Sequence, residues 1–118
     1  MYLAMDAQIA VAIAAAGAIP PLVQHVRAGS PTLSQQNATI VLGMLAENAE
    51  IAVTIAAAGA IPPLVQLLGP GSPAVVQSNA AGALKRLACS NAKIRATIAA
   101  AGASAGLLQK MKGLGIGV

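Results

Sequence analysis

The sequence predicts an all-α solenoid of about two and a half repeats, with three helices in each full repeat. Three observations carry that prediction. The phrase AGAIPPLVQ stands at Ala16–Gln24 and again at Ala58–Gln66, and a degenerate copy, AGASAGLLQ, stands at Ala101–Gln109. Residues that start and stop helices recur in the same register of each copy. The composition, 57% hydrophobic with Tyr2 as the one aromatic residue, leaves a core of small aliphatic side chains. Such side chains reach normal packing density only if helices approach closely. A period of about 42 residues marks stacked structural units that bury their apolar faces against one another.

The first helix of each unit is expected to begin at Asp6, Asn48 and Asn91. Short polar side chains there accept hydrogen bonds from the free N–H groups of a helix start. It is expected to end at Gly17, Gly59 and Gly102, because glycine takes up the left-handed conformation that closes many helices. The second helix starts near Ile19 and Ile61. Pro20 and Pro62 suit its first turn, where an N–H would be unpaired in any case. Its core face is Leu22, Val23 and Val26 in the first unit, and Leu64, Val65 and Leu68 in the second. The third helix is expected to start at Ser30-Pro31 and Ser72-Pro73, with serine as the cap and proline at the first helical position. It runs to Ala46 and Ala88.

Apolar spacing sets the faces of the third helix. Val76, Ala80, Ala83, Leu84 and Leu87 recur at steps of three and four and form a core stripe. Val75, Asn79, Gly82 and Arg86 form a second stripe on another face, matched in the first unit by Leu33, Asn37, Ile40 and Met44. Ser34 stands where the core stripe has Val76, so Leu33 is a candidate to turn inward in its place. The boundaries that follow are units 6–47, 48–90 and a partial 91–118. Residues 1–5 would be the end of a missing repeat, and 113–118 a Gly-rich tail.

Composition and charge exclude several function classes. The net charge is +4, with one base against three acids in residues 1–60 and six bases with no acid in 61–118. With so few charges and no interleaved aromatic residue for base stacking, the pattern argues against nucleic acid as the partner. Two uncharged apolar stretches approach the length of a membrane span, but each is broken by Gly-Ala-Ile-Pro-Pro, so no span is expected. Cys89 is the only cysteine, which rules out an intramolecular disulfide and fits a reducing, intracellular setting, cytoplasmic or nuclear.

No catalytic, metal or cofactor site emerges. His25 shares its register with Leu67 and Lys110, which reads as an outer surface position. Cys89 has Lys85 and Arg86 nearby, yet no base or oxyanion site is placed for it. Asp6 reads as a cap, Glu50 sits in the first turn of a helix where negative charge is favourable, and Glu47 has no evident role. Gly69-Pro70-Gly71-Ser72 lacks the Lys that a phosphate loop requires. The chain therefore reads as a non-enzyme.

The stretches AGAIPPLVQLL and SPAVVQSNAAGALKRLA closely resemble a repeat of the armadillo family, and the resemblance extends over nearly the whole chain. In style it is similar to the armadillo arrays of plants and green algae. The resemblance implies a right-handed superhelix whose third helices line a concave groove for a partner protein or an extended peptide. It places the groove at Leu33, Asn37, Ile40, Met44, Val75, Asn79, Gly82 and Arg86. Many members carry a Trp and, four residues on, an Asn in this helix. Here those places hold Ile40 and Met44, then Gly82 and Arg86, which argues against importin-like capture of basic peptides. Arg86 would itself repel one.

The expected role is a scaffold for protein–protein interaction. Alternatives are the substrate-recruiting array of a U-box ubiquitin ligase whose U-box lies outside the chain, or a membrane-associated scaffold of the vacuolar armadillo kind. Both ends break off mid-unit: Tyr2-Leu3-Ala4 matches the end of a third helix, and no third helix follows Gln109. A segment of a longer protein is expected, one that self-associates through its uncapped ends when it is expressed alone.

Overall fold

The computed structural model describes residues 7–27, 29–90 and 92–117. They form eight helices and no strand: α1 (Ala7–Ala15), α2 (Ile19–His25), α3 (Thr32–Leu45), α4 (Ala49–Ala57), α5 (Ile61–Gln66), α6 (Ala74–Ser90), α7 (Ala92–Ser104) and α8 (Leu108–Gly113). A short, a short and a long helix follow one another twice, and then two more helices end the described chain. The all-α solenoid expectation holds in this order of elements.

The turns show why the sequence breaks where it does. Gly17 and Gly59 have φ of 81° and 84°, a region that other residues enter at a cost of about 1–2 kcal/mol. They close α1 and α4. Ile19-Pro20-Pro21 and Ile61-Pro62-Pro63 then open α2 and α5, where the missing proline N–H groups lose no helical bond. Asn48 caps α4 through its side-chain oxygen, which accepts from the N–H groups of Glu50 at 3.0 Å and Ile51 at 3.3 Å. Asp6 and Asn91, the caps expected in the same register, lie outside the described residues. Asn48→Ala is expected to lower stability by about 1 kcal/mol, read as a lower midpoint in urea denaturation, whereas Asn48→Asp should leave the midpoint nearly unchanged.

Two expected boundaries are corrected. Ser30 does not cap α3: its hydroxyl donates to the Gln24 carbonyl at 3.2 Å. Pro31 occupies the capping position with extended backbone (ψ 143°) and makes no side-chain cap bond. The loop before the long helix is held instead by a glutamine one turn inside that helix. Gln35 Nε2 donates to the Arg27 carbonyl at 3.0 Å. Gln77, in the same register of the next repeat, donates to the carbonyls of Gly69 at 3.1 Å and Ser72 at 2.8 Å. The second correction is at Gly102, which does not end α7. The third copy has Ser104-Ala105-Gly106 where the others have Ile-Pro-Pro, so no proline interrupts the helix. It continues to Ser104 and turns at Gly106, with φ 72°.

The long helices α3 and α6 lie side by side and share the largest helix–helix face. Small residues allow this, as expected: a Cβ on Gly43 would sit 3.6 Å from the Ala83 Cα. α6 also packs on α4, α5 and α7. Its stripe Val76, Ala80, Ala83, Leu84 and Leu87 is buried throughout, alongside Leu42, Leu45, Ile55, Ile61, Leu64 and Leu68. Fully burying one such Leu or Ile contributes about 1.5–3 kcal/mol, so the core rests on these aliphatic side chains. Leu33, a candidate to turn inward, is 66% exposed. Ser34 keeps its place at the half-buried edge.

The shared register of His25, Leu67 and Lys110 is not a surface position throughout. His25 is exposed, but Leu67 is buried and Lys110 half-buried. Lys110 donates from Nζ to Gln77 Oε1 at 2.9 Å, so this position faces the long helix of the preceding repeat. The tail after α8 is also partly structural, because Ile116 is buried in the core.

Among the described residues no single helix is long and apolar enough to cross a membrane. α1 and α2 pass on length and composition only as a pair, and they meet at 81°.

Candidate partner-binding face

The residues of the second stripe lie on α3 and α6, the two helices that pair most extensively. Helical spacing puts Leu33, Asn37, Ile40 and Met44 along one face of α3, and Val75, Asn79, Gly82 and Arg86 along one face of α6. Leu33, Ile40 and Val75 are exposed, as is Asn37, while Met44, Asn79, Gly82 and Arg86 are half-buried. Three of the six exposed large apolar side chains among the described residues belong to this stripe. Neighbouring apolar groups left in water commonly mark an interface.

Two polar groups on this face are unevenly satisfied. Asn79 Nδ2 is buried and has no hydrogen-bond acceptor. A buried donor without an acceptor costs about 1–3 kcal/mol. The nitrogen is shielded from solvent, so a ligand carbonyl reaches it only if the side chain turns outward. Arg86, by contrast, is engaged. Its Nη1 donates to the Gly82 carbonyl at 3.3 Å, and its Nε lies 3.8 Å from Glu47 Oε1 at the end of α3. Both side chains of that pair are about one-third exposed, so the pair contributes at most about 1 kcal/mol.

Glu47, left without a role by sequence, thus balances part of the charge on Arg86. Beside it, a shallow pocket of about 440 Å³ opens between the C-terminal ends of α3 and α6. Its lining includes Glu47, Lys85, Arg86 and Cys89. The pairing is not legible in the sequence because Glu47 and Arg86 sit in different repeats, and only the packing of α3 on α6 brings them together. Cys89 is an exposed free thiol. Among the described residues no group of three or more His, Cys, Asp or Glu side chains is placed to hold a metal ion.

Residues 48–89, which hold α4, α5 and nearly all of α6, match the family model described as the armadillo/beta-catenin-like repeat. Comparison with curated proteins and with solved structures gave no match. The matched stretch coincides with one short–short–long set of helices, and AGAIPPLVQ recurs on either side of the Asn48 start. Residues 48–89 are thus similar to an armadillo repeat, and the same short–short–long helix order before them is consistent with an armadillo-type α-solenoid.

Proposed function

We propose that the α3–α6 face binds a partner protein or an extended peptide, and that the chain serves as a non-catalytic scaffold. Armadillo repeats generally mediate protein–protein interaction. One observation on this chain carries the assignment to this face: the unsatisfied Asn79 amide donor lies on the stripe that also exposes Leu33, Ile40 and Val75. In this reading the three apolar side chains take up apolar groups of the ligand. Asn37 and Asn79 hold ligand backbone, and the half-neutralised Arg86, with Lys85 beside it, favours acidic residues at that end. Met44 adapts its shape to what lies over it. The cytoplasm or the nucleus is the setting we propose for it.

The test uses the whole chain as bait. A captured partner is purified, and its affinity is measured for the chain and for two variants. Replacing Asn37, Met44, Asn79 and Arg86 together by Ala should weaken binding at least about a hundredfold, as expected when several central contacts go, with the helical circular dichroism signal retained. Replacing the exposed Val11 and Val53, away from this face, by Ser should leave affinity unchanged. Equal affinity of the fourfold variant and the parent chain would refute the assignment.

A further inference from the structure

The loops before the two long helices carry the same glutamine device, but they differ in one detail. In the second repeat Gln77 is fully used. Its Nε2 donates to Gly69 and Ser72, and its Oε1 accepts from the Lys110 ammonium at 2.9 Å. In the first repeat Gln35 donates to Arg27, but its Oε1 accepts no hydrogen bond among the described residues. The residue in the Lys110 register is here Leu67, which has nothing to donate. Gln35 is 7% exposed as a whole, and its carbonyl oxygen, which has no protein donor among the described residues, keeps its access to solvent. It lines a pocket of about 400 Å³ between the two loops, walled also by Ser30, Thr32, Gln66, Leu67 and Ser72.

We propose that this pocket is a binding site for a primary ammonium group. The site is distinct from the α3–α6 face and independent of the function assigned to it. The chain itself contains the worked example one repeat later. Lys110 places its ammonium on the equivalent glutamine oxygen and has no ion-pair partner among the described residues, so the contact needs no carboxylate. The hydroxyls of Ser30, Thr32 and Ser72 on the walls offer further acceptors for the remaining two N–H donors of an ammonium. A lysine side chain of a partner and a free alkylamine share this chemistry.

The test is an NMR titration of the isotope-labelled chain with N-acetyl-lysine methylamide, its norleucine analogue and n-butylammonium. The lysine derivative should give saturable shifts of the Gln35 side-chain amide and of the Gly29, Ser30, Gly71 and Ser72 backbone amides. The norleucine analogue, which lacks the ammonium, should give none. Tighter binding of the lysine derivative than of butylammonium assigns the site to protein-borne lysine, and equal binding assigns it to free amines. Leu67→Lys, which installs the internal ammonium, should weaken binding at least about tenfold. Should that variant unfold, Gln35→Glu serves instead: it keeps the acceptor, adds a charge and should tighten binding severalfold. Equal shifts with the norleucine analogue, no saturation with the lysine derivative, or unchanged binding in a folded Leu67→Lys chain would overturn the proposal.

Discussion

Leu84→Ala is expected to lower the stability of the chain by about 2–5 kcal/mol, the range for emptying a fully buried leucine site. Leu84 is wholly buried on α6, the helix packed against α3, α4, α5 and α7. Walls fixed by four neighbouring helices cannot easily collapse into the space left behind. The loss would be a large share of the roughly 5–15 kcal/mol that holds a domain folded. Leu42 occupies the same register on α3 and is equally buried, but α3 packs mainly on α2, α4 and α6. Leu42→Ala should therefore cost less, because repeat units are stabilised by neighbours on either side. Val75→Ala, on the exposed stripe, should change stability by less than about 0.5 kcal/mol. Urea denaturation followed by circular dichroism reads all three, with a lower midpoint and an unchanged slope for the two leucines. A cost at Leu84 no greater than at Val75 would mean that α6 is not the centre of the core.

How much of this was legible in the sequence depended on how local the cause was. Gly17, Gly59, Pro20, Pro62 and Asn48 act on backbone close to themselves in the chain, so repeat and residue type together located those helix ends. The buried stripe of α6 follows from spacing alone. The serine cap at Ser30 failed because Ser-Pro is only a statistical signal, and a competing device, Gln35 reaching back eight residues to a loop carbonyl as Gln77 does in the next repeat, already held the turn. Those glutamines recur in the same register of successive repeats, so the signal was present; what was absent was any local rule to interpret it. For the candidate site, the two stripes were readable as periodicities; Leu33, Asn37, Ile40 and Val75 on them are exposed, and Met44, Asn79, Gly82 and Arg86 are half-buried. The Glu47–Arg86 pair was not, since it crosses repeats and depends on how closely α3 and α6 approach at Gly43 and Ala83.

Gly102 gives the sharpest case of a right residue read for the wrong reason, and the second large expected effect. Helix propensity alone says that glycine inside α7 should be improved by almost any substitution, by about 0.5–1 kcal/mol for alanine. Packing says the opposite. Gly102 is buried, and a Cβ there would overlap the Met111 sulfur and lie 3.1 Å from the Met111 methyl group. Met111 is itself wholly buried on α8, so its side chain has no open solvent to swing into. Relief requires the flexible end of Met111 to repack within the filled core or α8 to shift from α7, and either would loosen the packing of Met111. Gly102→Val is therefore expected to destabilise by about 1–3 kcal/mol, the range for overpacking a filled core. Gly113→Ala, at the end of α8 with nothing within 4 Å of the added carbon, should stay within about 0.5 kcal/mol of the parent chain. Shortening Met111 separates the two explanations. If steric conflict is the cause, Gly102→Val should cost clearly less in a Met111→Ala background, leaving a coupling of about 1 kcal/mol or more in the double-mutant cycle. If the two changes simply add, the close approach of α7 and α8 is not what requires glycine at this position.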